Sequence, residues 1–401
     1  MSKSLKKKKI DLVFLVGGYG SRIKKYLKGK PKPFLSFNNY IFLDLLIRNF
    51  CKYNINKIFI LAGYKGHIIK KKFHKKRINL VDIECLIENK PLGTGGCLSQ
   101  LKNKIDNDFI VLNGDTYFDI DLSRIIKYRL NKNEIFMSLV KNTNYKSNSK
   151  LINLSLRKKF IYYNNNSNFI NAGIYKFKKN FLNIISKKYM SLEADIIPDL
   201  IYRKKVRGLI FKNFFLDIGT PENYRLAQRR LIKYMTRPAI FLDRDGTLNK
   251  DKGYTYRLKD LEFLNGVVRG LKLLTAKNYY LFIVTNQAGI AKGLFSENEF
   301  LSFQRNMKYE LSNLGIYIHD IEYSPYHPKG KIKKYKKKSN LRKPGNQMIE
   351  NIKRKWPIDF KKTFMIGDKR TDELCAKKSK IKFVYTNYDF FNLIKSITNN
   401  Y

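Results

Sequence analysis

Acidic residues are scarce in this sequence. Asp and Glu total 32 against 81 Lys and Arg, which gives a formal net charge of +49. Such an imbalance is typical of proteins that bind nucleic acids, anionic membranes or phosphorylated small molecules. The lysines are spread along the whole chain, however, and Lys, Asn, Ile, Tyr and Phe are abundant together, as expected from a genome rich in A and T. Nucleic-acid binding is therefore the weaker interpretation, and no nucleic-acid partner is expected.

Cysteines and long apolar runs are also scarce. The four cysteines form no CxxC pair, which disfavours a disulfide framework or a cysteine metal cluster and indicates a reducing cytoplasm. No run of about 18 apolar residues occurs, so membrane insertion is not expected. The start, "MSKSLKKKKIDLVFLVGG", is basic and then apolar, but its apolar run of about seven residues leads into a glycine turn without a clean cleavage site. It predicts a first strand and not a signal peptide.

The sequence does contain a regular alternation of two kinds of segment. Short apolar runs such as "KIFILAGY" and "DFIVLNGD" alternate with amphipathic stretches, which is the pattern of a mostly parallel sheet with helices on both faces. The pattern restarts after Pro238 with "AIFLDRDGT". The sequence therefore predicts an α/β protein of two doubly wound domains, residues 1–235 and 236–401. Polar residues and glycines follow the apolar runs in both halves, where open α/β sheets bind ligands.

The stretch "IFLDRDGTLNKDKGY" places Asp243 and Asp245 directly after a predicted strand. Two adjacent carboxylates are costly unless a cation lies between them or one is protonated. With a divalent metal and a phosphate present, one carboxylate can attack phosphorus while the other protonates the leaving oxygen and then activates water. Further along, Thr285 can bind phosphate, Lys343 can supply countercharge, and Asp368 can bind magnesium.

Together with "TNQAGIAKGLFSE", "RKPG" and "MIGDKRTD", this stretch resembles the haloacid dehalogenase-like (HAD-like) phosphatases. The resemblance is to the branch that contains the heptose-1,7-bisphosphate 7-phosphatases and the histidinol phosphatases, over residues 238–388. It implies the following roles: Asp243 as nucleophile, Asp245 as general acid and base, Thr285 and Lys343 as phosphate ligands, and Asp243, Asp368 and the Asp245 backbone carbonyl as magnesium ligands, with Asp372 in the magnesium shell.

The same branch often carries a structural zinc, which this chain lacks the ligands to bind. Ser324, Tyr326, Ser339 and Leu341 occupy the positions of the four zinc ligands, and none of them matches a Cys or His. No structural zinc is therefore expected. The intervening lysine-rich stretch predicts a solvated loop, which could also attract an anionic substrate.

In the N-terminal half, "LVGGYGSRI" places Gly17 and Gly18 in the turn after the first strand and Arg22 just beyond. Such a turn lets backbone N–H groups approach phosphates, although a tight turn without function is an equal alternative. No Gly-Lys-Ser or Gly-Lys-Thr follows, so it is not a Walker loop.

With "KPKPFL", "PLGTGG", "VLNGDTYF", "INAGIYKF" and "FLDIGTPENYRLAQ", the turn resembles the sugar-1-phosphate nucleotidyltransferases over residues 11–230, and within them the heptose-1-phosphate guanylyltransferases. The resemblance implies a Rossmann-like sheet and these roles: Gly17, Gly18 and Arg22 on the triphosphate, Lys32 on a reacting phosphate, Asp115 and Asp217 on magnesium, Gly93 and Thr94 near base and ribose, and Asn171, Gly173 and Glu193 in the sugar pocket. The family's Glu-Lys pair ahead of "NAG" is missing, and Arg157, Lys158 or Lys159 is a candidate to replace it.

The sequence thus predicts a fused enzyme of nucleotide-sugar biosynthesis that uses magnesium in both domains. Its expected partners are a nucleoside triphosphate, in the first place GTP, and sugar phosphates, and a homo-oligomer is left open. The alternatives are the same two reactions on another sugar or nucleotide, or a phosphatase of the histidinol-phosphate type.

Overall fold

The structure, a computed structural model, describes residues 10–142, 151–386 and 389–399. The chain divides into two compact units, Met1–Leu231 and Ile232–Tyr401. The basic stretch before Ile10 lies outside the described residues, and the apolar run after it forms a strand, Asp11–Leu15. None of the described helices is both long and apolar enough to cross a bilayer.

The described part of the first unit alternates short strands and helices. Its strands are β1 (Asp11–Leu15), β2 (Ser36–Phe37), β3 (Tyr40–Ile41), β4 (Lys57–Ala62), β5 (Arg77–Ile78), β6 (Val81–Ile87), β7 (Phe109–Asn113), β8 (Thr116–Phe118), β9 (Ile135–Lys141), β10 (Leu154–Arg157), β11 (Phe160–Tyr163), β12 (Phe169–Phe177), β13 (Val206–Phe211) and β14 (Phe215–Asp217). Its α-helices are α1 (Lys24–Leu27), α2 (Phe42–Cys51), α3 (Gly66–Phe73), α4 (Gly93–Gly96), α5 (Leu122–Lys127) and α6 (Ile197–Tyr202), and α7 (Pro221–Met235) contains the boundary between the units.

The main sheet of this unit has the order β10-β11-β13-β9-β12-β7-β1-β4-β6-β5. Its centre is parallel, as predicted, because β1 pairs in parallel with β4 and with β7. Strand β12, however, runs antiparallel to both of its neighbours, β7 and β9, so the sheet is mixed. An apolar run shows that a strand is buried but not which way it runs, so the sequence pattern could not predict this.

One core cluster of the first unit packs on one face of this sheet, and side chains on the opposite face, such as Leu12 and Phe14, are buried as well. Val13, Phe59 and Val111 come from three adjacent strands and are fully buried together with Met137 and Tyr175. Burial of side chains of this size contributes about 1.5–3 kcal/mol each before the loss of conformational entropy is counted. The core therefore fixes the central strands whose ends carry the predicted site residues.

The described part of the second unit is built on a single parallel sheet of order β17-β16-β15-β18-β19. Its strands are β15 (Ala239–Leu242), β16 (Tyr280–Asn286), β17 (Asp320–Ser324), β18 (Phe364–Gly367) and β19 (Lys382–Tyr385). Its helices are α8 (Val267–Ala276), α9 (Ala288–Lys292), α10 (Glu297–Asn313), α11 (Gln347–Lys353), α12 (Arg370–Lys378) and α13 (Phe390–Asn399). Phe241, Phe282 and Met365 from the three middle strands pack with Trp356 in the core.

Candidate active sites

Three neighbouring parallel strands of the second unit end at one edge of its sheet. Asp243 follows β15, Thr285 is the penultimate residue of β16, and Asp368 follows β18. The backbone N–H of Asp243 donates a hydrogen bond of 3.0 Å to the carbonyl of Ile366, which ties β15 to β18 at this end. Because β16, β15 and β18 are adjacent, the sheet brings the predicted residues together.

Lys343 reaches this edge from the loop after β17. Its ammonium lies 2.6 Å from Asp243 Oδ1 and 2.6 Å from Asp372 Oδ1, and it donates to the carbonyl of Val284 at 2.9 Å. Burial alone would lower the pKa of Lys343, but the carboxylates of Asp243 and Asp372 outweigh burial and raise it. A buried, positively charged ammonium therefore stands beside Asp243, where it can also bind a phosphate oxygen.

Three carboxylates form a group that fits a divalent cation. Oxygens of Asp243, Asp368 and Asp372 lie within 4.8 Å of one another. Asp368 Oδ1 is buried without a hydrogen-bond partner among the described residues. Burial raises the pKa of Asp243 to about 6, with Asp372 and Asp245 adding to the shift and Lys343 opposing it. An orphaned carboxylate oxygen in an all-oxygen donor set is what Mg²⁺ prefers, so these residues fit the ion.

Asp245 faces a different set of partners. Arg244 donates to both of its oxygens, from Nε at 2.9 Å and from Nη2 at 2.5 Å. Gln287 and Asn249 donate one further hydrogen bond each, both of 3.0 Å. Arg244 is itself fully buried and also donates to the carbonyl of Thr255. The orientation of the Asp245 carboxylate is therefore fixed by a bidentate guanidinium, two residues away from Asp243.

The first unit contains a cavity of about 570 Å³ at the carboxyl ends of its central strands. Most of the residues that the sequence singled out line it: Gly17, Gly18, Lys32, Gly93, Thr94, Asp115, Asn171, Gly173, Glu193 and Asp217. The volume is within the range of pockets that hold a ligand of nucleotide size.

The two predicted metal ligands of this unit stand side by side. Strands β8 and β14 pair so that Asp217 lies opposite Thr116, the residue after Asp115. The ammonium of Lys32 lies 2.5 Å from Asp115 Oδ2. Burial would raise the pKa of Asp115, but the charge of Lys32 outweighs it and lowers the pKa. Asp115 Oδ1 accepts a hydrogen bond of 3.2 Å from the Thr116 hydroxyl, and Asp217 Oδ1 accepts one of 2.6 Å from the N–H of Gly219. Carboxylate oxygens are ligands that Mg²⁺ prefers, so the two residues fit the ion.

The glycine turn owes its shape to close packing. A Cβ atom at Gly17 would lie 2.8 Å from Glu88 Oε1 and 3.4 Å from the backbone nitrogen of Gly63, so a side chain there would collide with the cavity wall. Glu88 also lines the cavity, and its Oε2 accepts a hydrogen bond of 2.7 Å from the N–H of Leu92. Burial raises the pKa of Glu88, opposed by that hydrogen bond.

At the other side of the cavity, Asn171, Tyr175 and Glu193 form a polar network. Asn171 donates to the Tyr175 hydroxyl at 2.5 Å, and that hydroxyl donates to Glu193 Oε1 at 3.2 Å. The register of β12 against β9 shifts between Asn171 and Tyr175, where Gly173 has φ +73°. The bulge turns these polar groups toward the same carboxylate in an otherwise apolar sheet.

Comparisons with known proteins find a different family in each of the two parts of the chain. Residues 12–151 match a family model described as nucleotidyl transferase, and residues 340–391 match one described as HAD-hydrolase-like. A D-glycero-beta-D-manno-heptose-1,7-bisphosphate 7-phosphatase of Photorhabdus laumondii is 42% identical over 144 residues, which are 36% of this chain and 77% of that protein. A D-glycero-alpha-D-manno-heptose 1-phosphate guanylyltransferase of Campylobacter jejuni is 32% identical over 219 residues, which are 54% of this chain and 97% of that protein. Among solved structures, HddC from Yersinia pseudotuberculosis is 28% identical with a TM-score of 0.47, covering 55% of this chain and 99% of that one.

The chain belongs to the nucleotidyltransferases through its N-terminal part and to the HAD-like phosphatases through its C-terminal part. It is a fused enzyme, a nucleotidyltransferase in its N-terminal part and a HAD-like phosphatase in its C-terminal part. The expected α/β fold class and the suspected resemblances are thereby confirmed. We refer below to the transferase unit (Met1–Leu231) and the phosphatase unit (Ile232–Tyr401).

Some predicted residues do not reach the cavity of the transferase unit. Arg22 is exposed on a 3₁₀ turn, Ser21–Ile23, and does not line the cavity. Arg157, Lys158 and Lys159 lie at the turn between β10 and β11, also outside the lining. The structure therefore does not support the interpretation that one of these three residues replaces the missing Glu-Lys pair. They were candidates because they lie close to "NAG" in the sequence, but the β10–β11 hairpin places them at its tip. Among the described residues, the cations that line the cavity are Lys32 and Lys90.

Other site residues were missed by sequence reasoning. Arg244 stands within the quoted motif, so its position could have suggested a role, but its contact with Asp245 could not be read from spacing. Glu88 and Tyr175 gave no local signal, because each is an ordinary residue on a strand or at its end. Arg342, next to Lys343, has a buried Nη1 without a hydrogen-bond partner among the described residues, so the phosphatase unit presents a second cation that an anionic substrate could meet.

Proposed function

We propose that this enzyme catalyses two steps of one nucleotide-sugar pathway. The phosphatase unit removes the 7-phosphate of a heptose 1,7-bisphosphate, and the transferase unit transfers a guanylyl group from GTP to the resulting heptose 1-phosphate. The observation that carries the proposal is the presence of both sites in one chain, each in a unit whose relatives are named for a heptose phosphate. A phosphatase whose product is the substrate of the attached transferase gives the fusion a chemical reason.

In the phosphatase unit, an oxygen of Asp243 attacks the phosphorus of the substrate, and the bond from phosphorus to the sugar oxygen breaks. Asp245, held by Arg244, gives a proton to the departing sugar oxygen. It then takes a proton from a water molecule whose oxygen attacks the aspartyl-phosphate, which releases phosphate and restores Asp243. Lys343 and Thr285 bind the phosphate oxygens throughout.

In the transferase unit, an oxygen of the sugar 1-phosphate attacks the α-phosphorus of the nucleotide, and pyrophosphate leaves. Backbone N–H groups of Gly17 and Gly18 bind the triphosphate, and Lys32 exchanges its contact with Asp115 for a reacting phosphate. Asn171 and Glu193 bind hydroxyls of the sugar, and Tyr175, which does not line the cavity, holds both of their side chains. Because no side chain forms a covalent bond to phosphorus in this transfer, positioned cations and N–H donors do most of the work.

We propose Mg²⁺ for both units. Asp243, Asp368 and Asp372 would hold it in the phosphatase unit, and Asp115 with Asp217 would hold it in the transferase unit. When bound, the ion supplies positive charge to the transferred phosphoryl or nucleotidyl group.

The two relatives differ in the anomer that their names specify, which constrains the proposal. One is named for the beta bisphosphate and the other for the alpha 1-phosphate. Removal of the 7-phosphate leaves the anomeric centre untouched. If the two units act in sequence, the phosphatase unit of this chain must therefore accept the α-bisphosphate.

Glu88 is the residue that we propose to select guanine. Its carboxylate lines the cavity, as do the glycine turn and the first two residues of α4, Gly93 and Thr94. Guanine presents two adjacent donors, N1–H and the 2-amino group, which a carboxylate can accept together, whereas adenine presents an acceptor at N1. Replacing Glu88 by Gln should lower kcat/KM for GTP by about tenfold or more, because a hydrogen bond to a charged group contributes about 1.5–3 kcal/mol. Pyrophosphate release measured with GTP and ATP checks this.

Glu84→Gln is the matched control, because Glu84 lies on β6, the strand that Glu88 directly follows, but pairs with Lys57 and Lys104 outside the cavity lining. It should leave the preference for GTP over ATP unchanged. An unchanged preference in Glu88→Gln as well would contradict the assignment of base selection to Glu88.

We also propose a cytoplasmic location. The four cysteines are buried and form no disulfide, which suits a reducing compartment. Cell fractionation followed by pyrophosphate-release assays would contradict this if the activity were found outside the cytoplasmic fraction.

A further inference from the structure

The loop that delivers Lys343 to the phosphatase site raises the question of what holds it. We define the substrate loop as residues 325–343, between β17 and Lys343. Related phosphatases are expected to fasten this loop with zinc, but here Ser324, Tyr326, Ser339 and Leu341 stand at the ligand positions. A long loop that must be ordered on each binding event costs conformational entropy, so another fastening would favour substrate binding.

One carboxylate at the start of α10 connects the strand before the loop to the middle of the loop. Tyr323 and Tyr335 donate hydrogen bonds to the two oxygens of Glu297, each of 2.7 Å. The ammonium of Lys334 lies 3.7 Å from the same carboxylate. Burial would raise the pKa of Glu297, but the two hydroxyl donors and Lys334 outweigh it and lower the pKa, so the clamp residue is a carboxylate at neutral pH. We call Glu297, Tyr323 and Tyr335 the tyrosine clamp.

Backbone contacts extend the clamp along the loop. The carbonyl of Ala291 accepts hydrogen bonds from the N–H groups of Lys331 and Ile332, at 2.7 and 2.9 Å. The N–H of His327 donates to the carbonyl of Tyr335 at 3.2 Å, which closes the loop on itself. The loop is thus fastened to α9 and to the start of α10, the two elements that follow Thr285 in the chain.

We propose that Glu297 is a positioning residue for the phosphatase reaction, and that the tyrosine clamp takes the place that zinc has in related enzymes. Glu297 acts through the loop on Arg342 and does not touch the substrate, whereas Lys343 is held separately at the sheet edge by Asp243, Asp372 and the carbonyl of Val284. This inference rests on the proposed hydrolysis of a sugar bisphosphate, because a substrate with a large leaving group needs the loop, whereas a small aryl phosphate needs only the residues at the sheet edge.

The test compares Glu297→Gln with Glu299→Gln in the full chain. Both residues lie in the first turn of α10, so each variant removes one negative charge from the same helix end. Glu299 belongs to the capping box with Ser296, a role that Gln also fills. Only Glu297 accepts from the two tyrosines. Tyr335→Phe is a lighter variant that removes a single hydrogen bond.

For heptose 1,7-bisphosphate, Glu297→Gln should lower kcat/KM by about tenfold, mainly through KM, because a hydrogen bond to a charged group is lost. With p-nitrophenyl phosphate the rate should stay within about twofold. Hydrogen exchange at the amides of Lys331, Ile332 and Tyr335 should become faster. Tyr335→Phe should change all of these in the same direction by less, and Glu299→Gln should match the wild type.

Equal effects of Glu297→Gln and Glu299→Gln would overturn the inference, and so would an equal loss on both substrates, which indicates a merely structural role. If the wild type hydrolyses p-nitrophenyl phosphate but no sugar bisphosphate, the proposed function fails. In that case hydrogen exchange alone tests whether the tyrosine clamp holds the loop. Unchanged exchange rates in Glu297→Gln would overturn the inference.

Discussion

Replacing Asp243 by Asn is expected to abolish phosphate release and to leave pyrophosphate release intact. The amide is a poor nucleophile, so the loss should be at least about a thousandfold. The fold should tolerate the change, because Lys343 keeps a carboxylate partner in Asp372, 2.6 Å away, and is not left as an unpaired buried charge. Two separate assays on one preparation check both halves of this expectation: phosphate release from a sugar bisphosphate, and pyrophosphate release from GTP with the sugar 1-phosphate supplied directly.

Asp260→Asn serves as the control, since Asp260 lies in the 3₁₀ turn Leu258–Asp260 and outside the group of Asp243, Asp368 and Asp372. It should keep both activities. If the Asp243→Asn protein folded but lost both activities together, the interpretation that the chain has two independent active sites would be wrong.

Replacing Asp115 by Asn is expected to have the reverse effect, with loss of pyrophosphate release by about a hundredfold or more and normal phosphate release. The amide is a weaker ligand for Mg²⁺, and it cannot hold Lys32 by charge as the carboxylate does at 2.5 Å. Loss of the metal ligand displaces the metal, and loss of the ion pair displaces Lys32; both must lie close to the α-phosphorus of the nucleotide. The same paired assay measures the effect.

A surface aspartate of the transferase unit provides the comparison. The side chain of Asp106 is 90% exposed and forms an ion pair of 3.1 Å with Lys179. Asp106→Asn should therefore be silent, as expected for an exposed ion pair. A transferase that is fully active with Asn at position 115 would show that Asp115 binds no essential metal.

The phosphatase site could be predicted well because its residues follow apolar runs directly. Asp243 and Asp368 stand immediately after strands, and Thr285 stands at a strand's end. Residues that follow parallel strands lie at the same edge of the sheet whatever the strand order. The local sequence pattern was therefore enough to predict that these residues lie close together. Lys343 was predicted as a countercharge and a phosphate ligand, and its contacts with the carboxylates of Asp243 and Asp372 required the structure.

The transferase site was harder to predict for a physical reason. Its sugar network depends on a bulge in β12 that turns Asn171 and Tyr175 toward Glu193, and bulges leave little trace in apolar periodicity. Arg22 was placed by the motif, yet its side chain is exposed. The Glu297–Tyr335 contact joins residues 38 positions apart on different elements, which no single-sequence pattern indicates.

The central claim, that one chain converts a heptose bisphosphate and GTP into a nucleotide sugar, is tested most directly in one tube. Purified protein is incubated with Mg²⁺, GTP and either the α or the β anomer of heptose 1,7-bisphosphate, and phosphorus NMR follows phosphate, pyrophosphate and the sugar diphosphate. With the α anomer, phosphate should appear first, followed by pyrophosphate and GDP-heptose in equal amounts. Release of phosphate without any GDP-heptose from the α anomer, while the protein transfers guanylyl to some other sugar phosphate, would contradict the claim that the two units serve one pathway.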